Sequence, residues 1–113
     1  MNTKEFIEIE KKILSRDFYM NDFLNNADAA KYLNISTVDF EEIIKEYKTT
    51  LLDFINTMRI EDAKDSLTVE PHLTNEQLAI IHKFKSEEEF LSNFYINEKC
   101  SPNEWLLKNG IIE

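Results

Sequence analysis

The chain has 113 residues, 42% of them hydrophobic, with eight Phe but only one Gly and two Pro. That is apolar mass enough for one folded domain and argues against disorder; the shortage of glycine argues against sandwiches and barrels, which use it at their turns. The 22 acids against 13 bases leave a formal charge of −9, which disfavours indiscriminate attraction to nucleic acid or anionic membrane.

From Thr3 to Phe18, Phe6, Ile9 and Ile13 fall at i, i+3 and i+7 with Leu14 beside them, which predicts one amphipathic helix. "NDFLNN" reads as a connection in which Asn25 or Asn26 caps the next helix. "ADAAKYL" predicts a short helix closed by "NIS". Ser36 then caps a second one, with Asp39 at its N3 position and Val38, Phe40, Ile43, Ile44 and Tyr47 as its apolar residues. Short helix, tight turn and second helix make a helix-turn-helix unit.

Leu51, Leu52, Ile55, Met58, Ala63 and Leu67 recur at helical spacing and predict a long helix over about 50–69, roughly 28 Å in length. Pro71 ends it by biasing Glu70 away from helical angles. The pattern then recurs. Thr74 and Gln77 form a capping box ahead of Leu78, Ala79 and Ile81, and Ser86 and Glu89 form another ahead of Phe90, Leu91 and Phe94. A final start has Ser101 as cap, Pro102 at N1 and Glu104 at N3. The two second helices begin at Ser36 and Ser86, 50 residues apart.

No catalytic residue, metal ligand or cofactor site is assigned. His72 and His82 lack metal spacing with the distant Cys100, and no base is placed to activate that thiol. Glu41–Glu42 and Asp62–Asp65 read as solvated helix faces, and the lone glycine, Gly110, excludes a phosphate-cradling glycine loop. A lone cysteine fits a reducing compartment. "MNTKEFIEIEKK" has no signal-peptide core, and no apolar run approaches membrane length, so the expectation is a cytoplasmic chain that engages no membrane.

The order of elements resembles the DNA-binding domain of the AraC/XylS family of bacterial transcription regulators, over about Ile13 to Asn109. "FINTMRIEDAKDSL", Phe54 to Leu67, is similar to the start of that family's linker helix. "LAIIHKFKSEEEFLSNFYINEKCSPNEW" resembles its signature at Ala79, Phe84, Phe90, Phe94, Pro102 and the aromatic Trp105, and the first half fits at Ala30, Ser36, Phe40 and Ile44. These are core and cap positions, which speak for fold more than activity. Lys83 and Lys99 stand where the family usually carries glycine. Asn93, Tyr95 and Ile96 stand where its second recognition helix presents Arg, Lys and Lys, and Leu106 where an Arg follows the final aromatic.

Arg16 and Arg59 are the only arginines, so bidentate arginine–guanine contacts are scarcely available. "TVDFEEIIKEYK" and "KSEEEFLSNFYINEK" each carry four acids and two lysines. A Glu about 4 Å from a phosphate costs on the order of 1 kcal/mol even in water. Acids also suit a helix's first turn, where they meet the positive end of the dipole, so Glu87, Glu88 and Glu89 have a purely structural reading as well.

The expectation is therefore an all-α fold, one double helix-turn-helix domain with lobe one over about 3–49, the linker helix over about 50–69 and lobe two over about 73–110. The leading function is transcription regulation through double-stranded DNA, with binding weakened by the acidic recognition helices. Thr37, Val38, Glu41 and Glu42 would face one groove, and Lys85, Glu87, Glu88 and Ser92 the next, roughly 34 Å away, with Lys45 and Lys48 as DNA-binding candidates that could hold phosphates. Lys31, Lys83 and Lys99 are further phosphate candidates. By the resemblance, Arg59 bridges the lobes through a nearby acid, and helical spacing makes Trp105 a core residue. The competing class is an interaction module that kept the fold and binds a basic protein partner through its acidic surface. No sensing domain lies within this sequence, so it is a domain of a larger regulator or receives its signals through a partner.

Overall fold

The structure is a computed structural model that describes residues 2–113. All regular structure among them is helical: α1 (Thr3–Ile13), α2 (Arg16–Tyr19), α3 (Asn26–Leu33), α4 (Thr37–Glu46), α5 (Leu51–Val69), α6 (Asn75–Ile81), α7 (Glu87–Glu98) and α8 (Pro102–Lys108). The fold is all-α. No helix among the described residues is long and apolar enough to cross a membrane. The chain divides into two compact units at the Ile55–Asn56 junction, inside α5.

Each helix starts the same way. Asn2, Ser15, Asn25, Ser36, Thr50, Thr74, Ser86 and Ser101 each offer a side-chain oxygen to the N–H three residues on. That satisfies a donor the helix leaves unpaired, at about 1 kcal/mol per cap. The boxes at Asn2–Glu5 and Thr74–Gln77 are reciprocal. At Ser36 and Ser86 the structure gives the forward bonds, to Asp39 and Glu89.

One expected helix is two. The segment from Thr3 to Phe18 breaks after Ile13, because Ser15 donates its hydroxyl to the Lys12 carbonyl at 2.6 Å and accepts from the Phe18 N–H at 3.3 Å. The side chain closes one helix and opens the next.

In the first unit, Phe18 has no exposed surface, and its ring centroid lies 5.0–6.5 Å from those of Phe23, Tyr32, Phe40 and Phe54. Aromatic contact of this kind holds α2, α3, α4 and the start of α5 around one residue. In the second unit, Ile60, Ala63 and Leu67 of α5 meet Leu78 and Ala79 of α6, Phe84, Phe90 and Phe94, and Leu106 of α8. Trp105 lies half-buried against this core, edge-on to Phe94.

The units repeat one local design. The Ala30 carbonyl accepts from the Ile35 N–H at 3.0 Å and the Ala79 carbonyl from the Phe84 N–H at 2.9 Å, the long bond of a Schellman turn in each case. The turning residues, Asn34 and Lys83, have φ of 57° and 61°. The second helices start at Ser36 and Ser86, bury Phe40 and Phe90 completely, and end before left-handed Lys48 (φ 54°) and Lys99 (φ 63°). Thr50 and Ser101 then cap the helix that follows.

Candidate nucleic-acid interface

Burial decides which face each second helix can offer. Phe40, Ile43 and Ile44 take one side of α4 into the core, which leaves Val38, Glu41, Glu42 and Lys45 exposed at i, i+3, i+4 and i+7. Thr37, at the helix start, is half-buried, and Lys48 is exposed in the turn beyond. In α7, Phe90 and Phe94 face inward, while Glu87, Glu88 and Ser92 face solvent with Lys85 just ahead of them. All ten sequence-derived positions except Thr37 therefore lie on exposed surface, but Glu87 stands on the Phe90 side of α7, beside Pro71 and Pro102, and not on the face that carries Glu88 and Ser92.

Tyr95 and Ile96 belong to the same exposed stripe of α7, at 61% and 63% exposure. Sequence reading marked them only as missing bases. Their positions one and two residues after the buried Phe94 carry the signal, since a helix cannot turn three consecutive side chains into one core. Asn93 is half-buried and donates to the Glu89 carbonyl at 2.9 Å, and Leu106 is a core residue.

The electrostatics of the two faces are mixed. Glu87, Glu88 and Glu89 occupy the first turn of α7, so the partial positive charge of that helix end already meets carboxylates of its own chain. The last turn of α7 has no base inside the helix; Lys99 follows it and donates its ammonium to the Ile96 carbonyl at 2.9 Å. Lys31, Lys45, Lys48 and Lys85 are exposed in or beside the two units' turns and helices.

Buried polar contacts fix the turn between α6 and α7 on α5. The guanidinium of Arg59, only 7% exposed, donates to the Lys83 carbonyl at 3.1 Å. His82, with no exposed surface, has Nδ1 3.3 Å from an Asp62 carboxylate oxygen and Nε2 3.0 Å from the Ser66 hydroxyl. The Nε2–Ser66 contact is a hydrogen bond whose direction follows the ring's tautomer, and the Asp62 carboxylate lies within ion-pair distance of Nδ1. The order of groups is that of an acid–base–nucleophile chain, yet a base without accessible surface cannot meet a substrate proton. The trio positions the end of α6. Farther along, Lys64 binds Glu61 and Glu98 at 3.1 Å each, joining α5 to the end of α7. Burial works against this ammonium, but hydrogen bonds and charge from Glu61 and Glu98 outweigh it and raise its pKa.

Comparison with protein-family models, with curated proteins and with solved structures returns no match.

Proposed function

We propose that the chain is a transcription-regulating domain of the AraC/XylS type that acts on double-stranded DNA, with α4 and α7 as its recognition helices. One observation carries the reading. Lys83 and Lys99, which stand where that family usually carries glycine, both have left-handed backbone, at φ 61° and 63°. A lysine adopts that conformation at a cost, so left-handed backbone at these two positions supports the reading even without glycine there. The repeated turn at Asn34 and Lys48 adds a second unit of the same design.

In this reading Lys31, Lys45, Lys48 and Lys85 hold phosphates, and Thr37 and Ser92 can read base edges. Glu41, Glu42, Glu87 and Glu88 weaken the complex by facing a phosphate-lined groove, although a carboxylate can accept from cytosine N4. Selection from a random duplex library, followed by footprinting of the recovered sequences, tests it. Two protected stretches about one helical turn apart are expected. A library that yields no enriched sequence contradicts it.

The acids on the exposed faces of α4 and α7 favour a second reading, an interaction module that retained the fold and binds a basic protein partner.

A further inference from the structure

We propose that Asn109–Gly110, at the end of α8, is a site of spontaneous covalent modification, where the asparagine converts to aspartate and isoaspartate and so releases Ile111 and Ile112 from the core of the second unit. The inference is independent of whether the chain binds DNA.

The pair is singular in the sequence. Gly110 is the only glycine, so Asn109 is the only asparagine followed by one. The others precede residues that carry a side chain, among them Ile35, Phe94 and Glu104. A side chain there crowds the backbone nitrogen that must attack, and glycine removes the obstacle. Both residues are exposed, and a Cβ placed on Gly110 would meet nothing within 4 Å, so water reaches the site.

Asparagine is among the thermolabile residues, and the reaction needs no partner but water. The backbone nitrogen of Gly110 attacks Cγ of Asn109. The N–Cγ bond forms, the Cγ–Nδ2 bond breaks, and the Gly110 amide proton leaves with Nδ2 as ammonia. Water then opens the cyclic imide. Addition at Cγ gives aspartate. Addition at the main-chain carbonyl breaks its bond to Gly110 and gives isoaspartate, whose backbone runs through Cβ and Cγ. No atom is oxidised or reduced.

The folded cap sets the pace. Asn109 has ψ 6°, which turns the Gly110 nitrogen away from Cγ, and the Gly110 N–H donates to the Leu107 carbonyl at 3.2 Å. Nδ2 of Asn109 donates to the Trp105 carbonyl at 2.8 Å. Ring closure therefore requires the last turn to open, a local event at a helix end held by exposed hydrogen bonds. The product does not refit. Its carboxylate faces the Trp105 carbonyl with no proton to donate, at the negative end of the helix dipole. Isoaspartate also adds a backbone atom ahead of Gly110, so the Ile111 N–H, which donates to the Leu106 carbonyl at 3.0 Å, loses its register. Ile111 and Ile112 pack against the core that contains Leu106, and that closure holds them there.

The test ages the whole chain in mildly alkaline buffer at body temperature, with and without urea. Peptide mass mapping locates the products, and isoaspartyl methyltransferase marks the isoaspartate. Asn109 should convert ahead of every other asparagine, and roughly tenfold or more slowly in native buffer than in urea. Asn109→Gln, which cannot close the same ring, should stay intact and keep its urea midpoint through the same incubation. Converted wild-type chain, separated by anion exchange, should unfold at lower urea by Trp105 fluorescence and show shifted amides over residues 105–112. Three results would each overturn the proposal. They are an Asn109 that stays intact in native buffer while the urea sample converts, conversion shared equally among the asparagines, and converted chain with an unchanged midpoint and unshifted Ile111 and Ile112 amides.

Discussion

The guanidinium of Arg59 donates to the carbonyl of Lys83 at 3.1 Å, so a buried cation on α5 holds the left-handed residue between α6 and α7. A hydrogen bond from a charged donor contributes about 1.5–3 kcal/mol, and leucine would leave that carbonyl without the donor. Arg59→Leu should lower the thermal midpoint by roughly 10 °C, followed by far-ultraviolet circular dichroism. An unchanged midpoint would remove Arg59 from the support of the turn.

Lysine at positive φ is strained by roughly 1–2 kcal/mol, and glycine there is not, although glycine loses more entropy on folding. The double variant Lys83→Gly and Lys99→Gly should therefore be more stable, by about 0.5–1 kcal/mol at each site. Lys83→Ala and Lys99→Ala should give no such gain. If alanine and glycine act alike in chemical denaturation, backbone strain at these turns is not the cause.

If the proposal of a DNA-binding domain holds, removing the acids exposed on α4 and α7 should strengthen the complex. With each Glu near a phosphate costing on the order of 1 kcal/mol, E41Q/E42Q and E87Q/E88Q should each tighten binding by roughly thirtyfold at most. Anisotropy of a labelled duplex reports the change. Equal affinity in wild type and both variants would place these carboxylates away from the backbone.

Two groups make stability fall in alkali. Burial, with charge from Glu10 and Glu46, raises the Tyr47 phenol, so the unfolded chain loses that proton first. Lys64 is also raised, so its contribution is complete below the unfolded lysine value and disappears as pH climbs through the folded one. Both signs agree: stability should decline above about pH 10, where ordinary Tyr and Lys titrate. Tyr47→Phe should flatten part of that decline, measured by urea midpoints across an alkaline pH series. A decline as steep as in wild type would remove Tyr47 from the effect.

Much of the fold is legible in the sequence because capping is local. Ser36, Thr74, Ser86 and Ser101 stand three residues before the N–H they satisfy, so a short window contains the whole interaction. Ser15 escapes that reading because Leu14, which proves half exposed, carries the apolar pattern of Phe6, Ile9 and Ile13 right up to the break. His82 escapes it for the opposite reason. Its partners Asp62 and Ser66 lie a helix away, and no local pattern announces a buried imidazole.

The exposed faces of α4 and α7 are half legible. Once Phe40, Ile43, Ile44, Phe90 and Phe94 are assigned inward, Val38, Glu41, Glu42, Lys45, Glu88 and Ser92 follow as outward by helix geometry. Tyr95 and Ile96 follow by the same geometry, one and two residues after Phe94, but their apolar type alone reads as core and masks it. The left-handed lysines are illegible in another sense. Lysine carries no turn preference, and only the backbone reveals what Lys83 and Lys99 do.

The most direct measurement is anisotropy of a labelled mixed-sequence duplex, titrated with the whole chain from very low ionic strength upward. Use of Lys31, Lys45, Lys48 and Lys85 on phosphates predicts binding at low salt, with log affinity falling linearly against log salt at a slope of roughly −3 to −4. Alanine at Lys45 should reduce that slope by about one. No binding at the lowest salt would contradict the DNA-binding reading and leave the acidic faces of α4 and α7 to a protein partner.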